Sequence, residues 1–172
     1  MERIVRVDQL LSVVPTRLDD EDVVAMIDEV QQEYVRRYGG PDETPLDVAE
    51  FLPPAGVILK AVRDGAVVGM GGWRVHEGGG PEAVGLRPGD AEIKRMYVRA
   101  DARGLGVARA VLAAIEQTAA TAGRRRLVLE TGLRQPEAIG LYTSSGYTPL
   151  VPKFGLYRDE DQSVCMAKEL HR

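Results

Sequence analysis

Arg103-Gly104-Leu105-Gly106-Val107-Ala108-Arg109 sets two glycines and two arginines at the start of a run with helical period. Glycines at a helix N-terminus let a ligand approach the backbone closely. The free N–H groups and the positive end of the helix dipole then attract an anion, typically phosphate. Arg103 and Arg109 add charge at the same spot. A nucleotide P-loop would need a Gly-Lys-Ser/Thr ending, which is absent. A dinucleotide fingerprint is nearer, since Gly104 and Gly106 fit and Glu130 falls where a ribose-binding acid belongs. That reading would make a nicotinamide-dependent oxidoreductase. Arg109, however, occupies its third small position. The preceding "EIKRMYV" also carries three charges, where a strand buried on both faces should be nearly all apolar. A turn with two glycines and no ligand is the remaining alternative.

The turn needs a strand before it and a helix after it. Residues 91–98 form that strand, and a helix runs from about 104 to 122 with Leu105, Ala108, Val111, Leu112, Ile115 and Ala119 on one face. "RLVLET" (126–131) is the next strand, so 91–131 is a βαβ unit. Pro136 suits the first position of a second helix carrying Ala138, Leu141 and Tyr142, and Gly146 suits its end. Two more strands fit near 147–151 and 162–169. Upstream, "RIVRVD" (3–8) alternates like a short strand. Asp19 to Asp22 mark a helix start, Arg36 and Arg37 its last turn, and "GGP" (39–41) its stop. Residues 41–55 are irregular with one helical turn near 46–51. Asp64-Gly65 joins two β-branched runs in 57–75 as a type I′ hairpin. "HEGGGPEAVGLRPGD" (76–90) is a loop, and Gly78 to Gly80 resemble a phosphate cradle only superficially, because no helix follows.

The chain has 172 residues, enough for one domain, 1–172, with a sizeable core. A net charge of −4 gives no electrostatic case for nucleic acid. Cys165 is the single cysteine, and with only His76 and His171 besides, no metal site is expected. No apolar run of membrane-spanning length and no signal-peptide core occur, so no membrane partner and a cytoplasmic location are expected. A homodimer is compatible with the sequence.

Arg103-x-x-Gly106-x-Ala108 resembles the Gln/Arg-x-x-Gly-x-Gly/Ala signature of the GNAT superfamily of acyl-CoA-dependent N-acetyltransferases. "AEIKRMYV" resembles the family's fourth strand. "LVLETGLRQPEAIGLYTSSGYTPL" (127–150) resembles its fifth strand and following helix, with Ala138, Leu141, Tyr142, Gly146 and Tyr147 in the typical pattern. The resemblance covers about 57 to 169, and more loosely the part before. Many members have Asn where this chain has Gln135 or Pro136. The implied fold is α/β, a splayed central mixed β-sheet flanked by helices.

The resemblance implies that acetyl-CoA is the cosubstrate and an amine the acceptor. The backbone N–H groups of Gly104, Leu105, Gly106, Val107 and Ala108 would hold the pyrophosphate, beside Arg103 and Arg109. Main-chain groups of Met96, Tyr97 and Val98 would pair with the pantetheine arm as an added strand would. An amide near Val98 would serve the oxyanion. An alkylammonium, with a pKa of about 10.4, must lose a proton before it attacks a thioester. Two carboxylates are candidates for that base. Glu92 lies eleven residues before Arg103, where histone acetyltransferases of this superfamily place theirs, and reads otherwise as an exposed strand charge like Lys94. Glu130 resembles the base of the ribosomal-protein acetyltransferases. Tyr142 stands at the position that faces the thioester sulfur, and its phenol can donate to the departing thiolate. Tyr34, Arg37, Tyr38, Phe154 and Tyr157 fall where members build the acceptor pocket. Cys165 and Trp73 read as core, and Arg124 to Arg126 as a solvated turn. A non-catalytic CoA-binding domain on the same fold is the rival reading.

Overall fold

The computed structural model describes residues 11–76 and 80–171. Among these described residues seven strands form one mixed sheet: β1 (Leu11–Thr16), β2 (Gly56–Arg63), β3 (Ala66–Val75), β4 (Asp90–Val98), β5 (Arg126–Gly132), β6 (Thr148–Pro149) and β7 (Ser163–Glu169). Their spatial order is β1-β2-β3-β4-β5-β7-β6. Only β4 and β5 run parallel, joined by the crossover helix α2 (Val107–Thr121). Helix α1 (Glu21–Tyr38) follows β1, and α3 (Pro136–Ser144) follows β5.

Local chemistry sets these elements. The carboxylate of Asp20 accepts from the Asp22 amide at the start of α1, and Glu21 and Asp22 sit at the positive end of its dipole. The helix stops at Gly39, which adopts the left-handed conformation and donates to the Val35 carbonyl. Asp64 and Gly65 both have positive φ, as a type I′ turn between β2 and β3 requires. Successive residues of β2 point to opposite faces. Leu59 packs with Ile93, Val111, Ile115 and Leu129 beneath α2, and Ile58 with Val23, Met26, Val30 and Met70 beneath α1.

Two findings differ from the sequence reading. The strand expected at 3–8 lies outside the described residues, whereas Leu11–Thr16, which carries Pro15, is a strand. That strand is at the sheet edge, where a proline is tolerated. Arg126 is not in a solvated turn. It opens β5, is buried, and its guanidinium contacts Asp90 at 2.6 and 2.8 Å.

The β4–β5 pairing is short. Asp90, Ala91 and Glu92 face Arg126, Leu127 and Val128, and no pair follows. Beyond that point β4 continues on β3 up to Val98, and β5 continues on β7 up to Gly132. Arg95 and Met96 fall where the register with β3 slips, and Arg95 takes φ 56°. A bulge of this kind bends its strand. The Arg126–Asp90 ion pair closes the joint, and the two strands open away from it.

Candidate active site in the splayed sheet

The opening between β4 and β5 is a cleft of about 470 Å³. Ile93 to Val98 form one wall and Leu129 to Thr131 the other, with the glycine turn at one end and α3 at the side. Gly104 and Gly106 have φ of 77° and 81°, so residues with a Cβ would be strained there. Among the described residues no side chain caps the start of α2, whose first residues line the cleft with free N–H groups. Arg109 lines the same end, and its guanidinium donates to the Ser144 hydroxyl at 2.8 Å. Arg103 lines it too, but its charge is shared. It pairs with Glu33, donates to the Val98 carbonyl at 2.9 Å and lies over the Tyr97 ring. Met96, Tyr97, Val98, Val107 and Ala108 all line the cleft; Leu105 does not, and is half exposed.

A second cleft, of about 430 Å³, opens between the end of α1, the loop that follows it and the chain before β7. Tyr34, Tyr38 and Tyr157 line it, as do Asp42, Glu43 and Glu160. The Tyr157 hydroxyl donates to Asp42 at 3.3 Å and accepts from the Glu43 amide at 2.8 Å. Asp42 also binds Arg95 at 2.7 Å, so one carboxylate ties this loop to the bulge of β4. The guanidinium beside it, with the Thr44 amide, holds Asp42 below the usual carboxylate range against its burial. The two clefts share Tyr34, Asp42, Lys94, Glu130, Thr131 and Gln135.

Glu130 stands at that junction. Burial pushes its carboxyl up to about 7, with Glu92 and Asp42 adding to the rise and Ser163 and Lys94 opposing it. Tyr142 lines the first cleft and is otherwise buried against Tyr147. Burial raises its phenol well above the usual range, so it stays protonated. Its hydroxyl has no hydrogen-bond partner among the described residues, which leaves it available to a ligand.

Besides Leu105, three expected site residues lie elsewhere. Glu92 is 3% exposed and lines neither cleft. Lys94 at 3.0 Å, Arg74 at 3.3 Å and His76 at 3.7 Å surround it where the sheet is still closed. Phe154 is fully buried with Val128, Leu150 and Cys165. Arg37 reaches across the mouth, pairing with Glu33 and Glu137 and donating to the Arg134 carbonyl at 2.8 Å, while Arg134 donates back at 2.6 Å. It clasps α1 to the β5–α3 connection and forms no pocket wall. Asp42 and Ser163 carry no functional signal in the sequence. Neither stands in a motif, and each reaches the site through a long-range contact. The closed parallel sheet that a dinucleotide site sits on is not formed, since β4 and β5 part after three pairs. Among the described residues no group of His, Cys, Asp and Glu is arranged to hold a metal, and no helix is long and apolar enough to cross a membrane.

The geometry agrees with the comparisons to known proteins. The model of the acetyltransferase (GNAT) family matches residues 23–147. An IAA acetyltransferase of Azospirillum brasilense is 34% identical over 148 residues, 86% of this chain and 90% of that protein. A mycothiol acetyltransferase of Cellulomonas flavigena is 36% identical over 99 residues, 56% of this chain and 28% of that one. Among solved structures, one from Klebsiella pneumoniae has a TM-score of 0.74 at 28% identity, covering 94% of this chain and 99% of its own. The ribosomal-protein-S18-alanine N-acetyltransferase of Escherichia coli has a TM-score of 0.63 at 16% identity over 95% and 96%, which is a likeness of fold alone.

Proposed function

This chain belongs to the acetyltransferase (GNAT) family and is an acyltransferase; from that premise we propose that it moves an acetyl group from acetyl-CoA to a primary amine by direct attack on the thioester. The observation that carries the proposal is the meeting of two clefts at Glu130. One has an anion-binding turn at its end, and the other is lined by tyrosines and carboxylates that suit a cationic amine.

The amides at the start of α2 and the Arg109 guanidinium bind the pyrophosphate. The pantetheine arm runs along the unpaired edge of β4 at Met96, Tyr97 and Val98, taking the place of a strand. The acceptor enters from the second cleft between Tyr34, Tyr38 and Tyr157. Glu130 takes the proton from its ammonium, and a carboxyl pushed up to about 7 is matched to that task near neutral pH. The amine attacks the thioester carbon, and the tetrahedral oxyanion is met by a backbone N–H near Val98. As the C–S bond breaks, the thiolate takes a proton from Tyr142, whose phenol is restored by the second proton lost from the attacking nitrogen. No metal takes part in this scheme.

Thermal unfolding with acetyl-CoA, CoA and NADH in parallel tests the reading. A ligand that binds only the native state at a hundred times its Kd adds about 2.7 kcal/mol of stability. Acetyl-CoA and CoA should raise Tm while NADH leaves it unchanged. A rise with NADH alone, or with none of the three, contradicts the assignment. Binding of acetyl-CoA with no amine-dependent release of CoA would favour the non-catalytic alternative.

A further inference from the structure

We propose that Ser163 is a positioning residue, one that holds the Glu130 carboxylate in the charged, correctly turned form that accepts the proton. The inference rests on Glu130 being the base. In the β5–β7 ladder Glu130 lies opposite Cys165 and Gly132 opposite Ser163, so Ser163 is the diagonal neighbour of Glu130 on the same face. Ser163 is 6% exposed, and its hydroxyl donates to Glu130 Oε2 at 3.0 Å. It is the one side-chain donor to this carboxylate among the described residues. Gly155 closes the other side. A Cβ there would fall 3.0 Å from Oε2 and 3.1 Å from Oε1, closer than an ordinary contact, so a side chain at this position would push the carboxylate by a few tenths of an ångström.

The charges around Glu130 do not fix its state by themselves. From β4, Lys94 favours the carboxylate, but its ammonium is already paired with Glu92 at 3.0 Å. Glu92 itself and Asp42, from the loop after α1, oppose it. From β7, the Cys165 thiol is pushed up by burial to about 11 and is neutral at ordinary pH. Tyr34 and Tyr38 of α1, and Glu43, Tyr157 and Glu160 farther out, share the second cleft. With burial and two like charges on one side and a divided lysine on the other, the Ser163 hydroxyl is the contact that stabilises the charged form directly. It also fixes the rotamer: Oε2 is held, and Oε1 is left for the ammonium of the acceptor.

The test is the pH dependence of kcat/KM for Ser163→Ala, run with acetyl-CoA and an amine that the enzyme turns over. The acidic limb should move to higher pH by about one unit, roughly a tenfold loss below the limb, with the alkaline plateau kept. Ser163→Thr retains the hydroxyl and should return the limb toward its wild-type position. An unmoved limb in folded Ser163→Ala overturns the inference. Glu130→Gln, measured beside it, separates the two levels. If it keeps the acidic limb, Glu130 is not the base and the Ser163 role falls with it. If it loses the limb while Ser163→Ala does not shift it, only the Ser163 role falls. A carbon-13 NMR titration of the Glu130 carboxyl, on the full chain without substrate, reads the same effect independently of turnover. Ser163→Cys, of similar volume and weaker as a donor, serves should the alanine variant not fold. The titration should move upward, and an unchanged midpoint contradicts the proposal.

Discussion

Lys94 Nζ lies 3.0 Å from Glu92 Oε1, and this ion pair separates two carboxylates that look alike along the chain. Glu92 is enclosed by Lys94, Arg74 and His76 where β4 and β5 are still joined. Glu130, two residues past the last pair, faces open space. The two glutamate-to-glutamine variants should therefore differ in kind. Glu130→Gln should lower kcat by roughly 10²–10⁴ and remove the acidic limb of the pH–rate profile. Glu92→Gln should keep that limb but lose stability, by about 3–5 kcal/mol, because the buried Lys94 ammonium loses its ion-pair partner and Arg74, which keeps Glu50 at 2.7 Å, loses one of two. Denaturant melts and pH–rate profiles of both check this. The opposite pattern would make Glu92 the base.

The raised carboxyl of Glu130 also fixes a sign for stability. Its midpoint is about 7 in the folded chain against an ordinary 4.5, so between these values the folded state binds more protons than the unfolded one. Stability from this group is then present below about 4.5 and lost as pH rises through about 7. Glu130→Gln cannot lose a proton. Its Tm relative to wild type should be higher at pH 8 than at pH 5. Parallel Tm curves for the two proteins across this range would contradict the assigned shift.

Tyr142→Phe removes a hydroxyl that has no hydrogen-bond partner among the described residues and keeps a ring packed against Tyr147. Folding and CoA affinity should survive. The chemical step should slow by roughly 10²–10⁴, with kcat falling more than the acetyl-CoA KM rises, because the lost contact matters mainly as charge builds on sulfur. Single-turnover acetyl transfer is the readout. An undiminished rate would make Tyr142 a core aromatic and water the proton donor.

Gly106→Asp places a carboxylate beside the amides that start α2. No protein atom lies within 4 Å of a Cβ there, so the fold should tolerate the side chain apart from the strain of φ 81°. CoA affinity by calorimetry should fall at least tenfold, about 1.4 kcal/mol. An unchanged affinity in a folded variant would place the pyrophosphate elsewhere.

Much of this architecture can be read from local signals. Asp64-Gly65, the acids before α1 and the glycines around α2 each act over a few residues, and the elements they bound match the structure. The motif around Arg103 to Ala108 located the cleft end, and the Leu141-Tyr142 pair its side. What failed depends on distant partners. Nothing near Glu92 says that Arg74 lies across the sheet, and "PKFGLY" does not distinguish buried Phe154 from Tyr157 at the cleft. Arg126 reads as the end of a basic turn until Asp90, 36 residues earlier in the chain, is set beside it. Ser163 and Asp42 are ordinary polar residues in sequence and become site residues only through the β5–β7 register and the bulge at Arg95.

In the proposed reaction an amine in the second cleft attacks acetyl-CoA held in the first, with Glu130 between them. Its most direct measurement is a panel of primary amines incubated with the enzyme and acetyl-CoA, with free CoA and the mass of the acceptor followed together. At least one amine should be acetylated mole for mole with CoA release, with the rate rising through an acidic limb near pH 7 in wild type and lacking that limb in Glu130→Gln. Acetyl-CoA that binds tightly yet is neither hydrolysed nor transferred to any amine would contradict it.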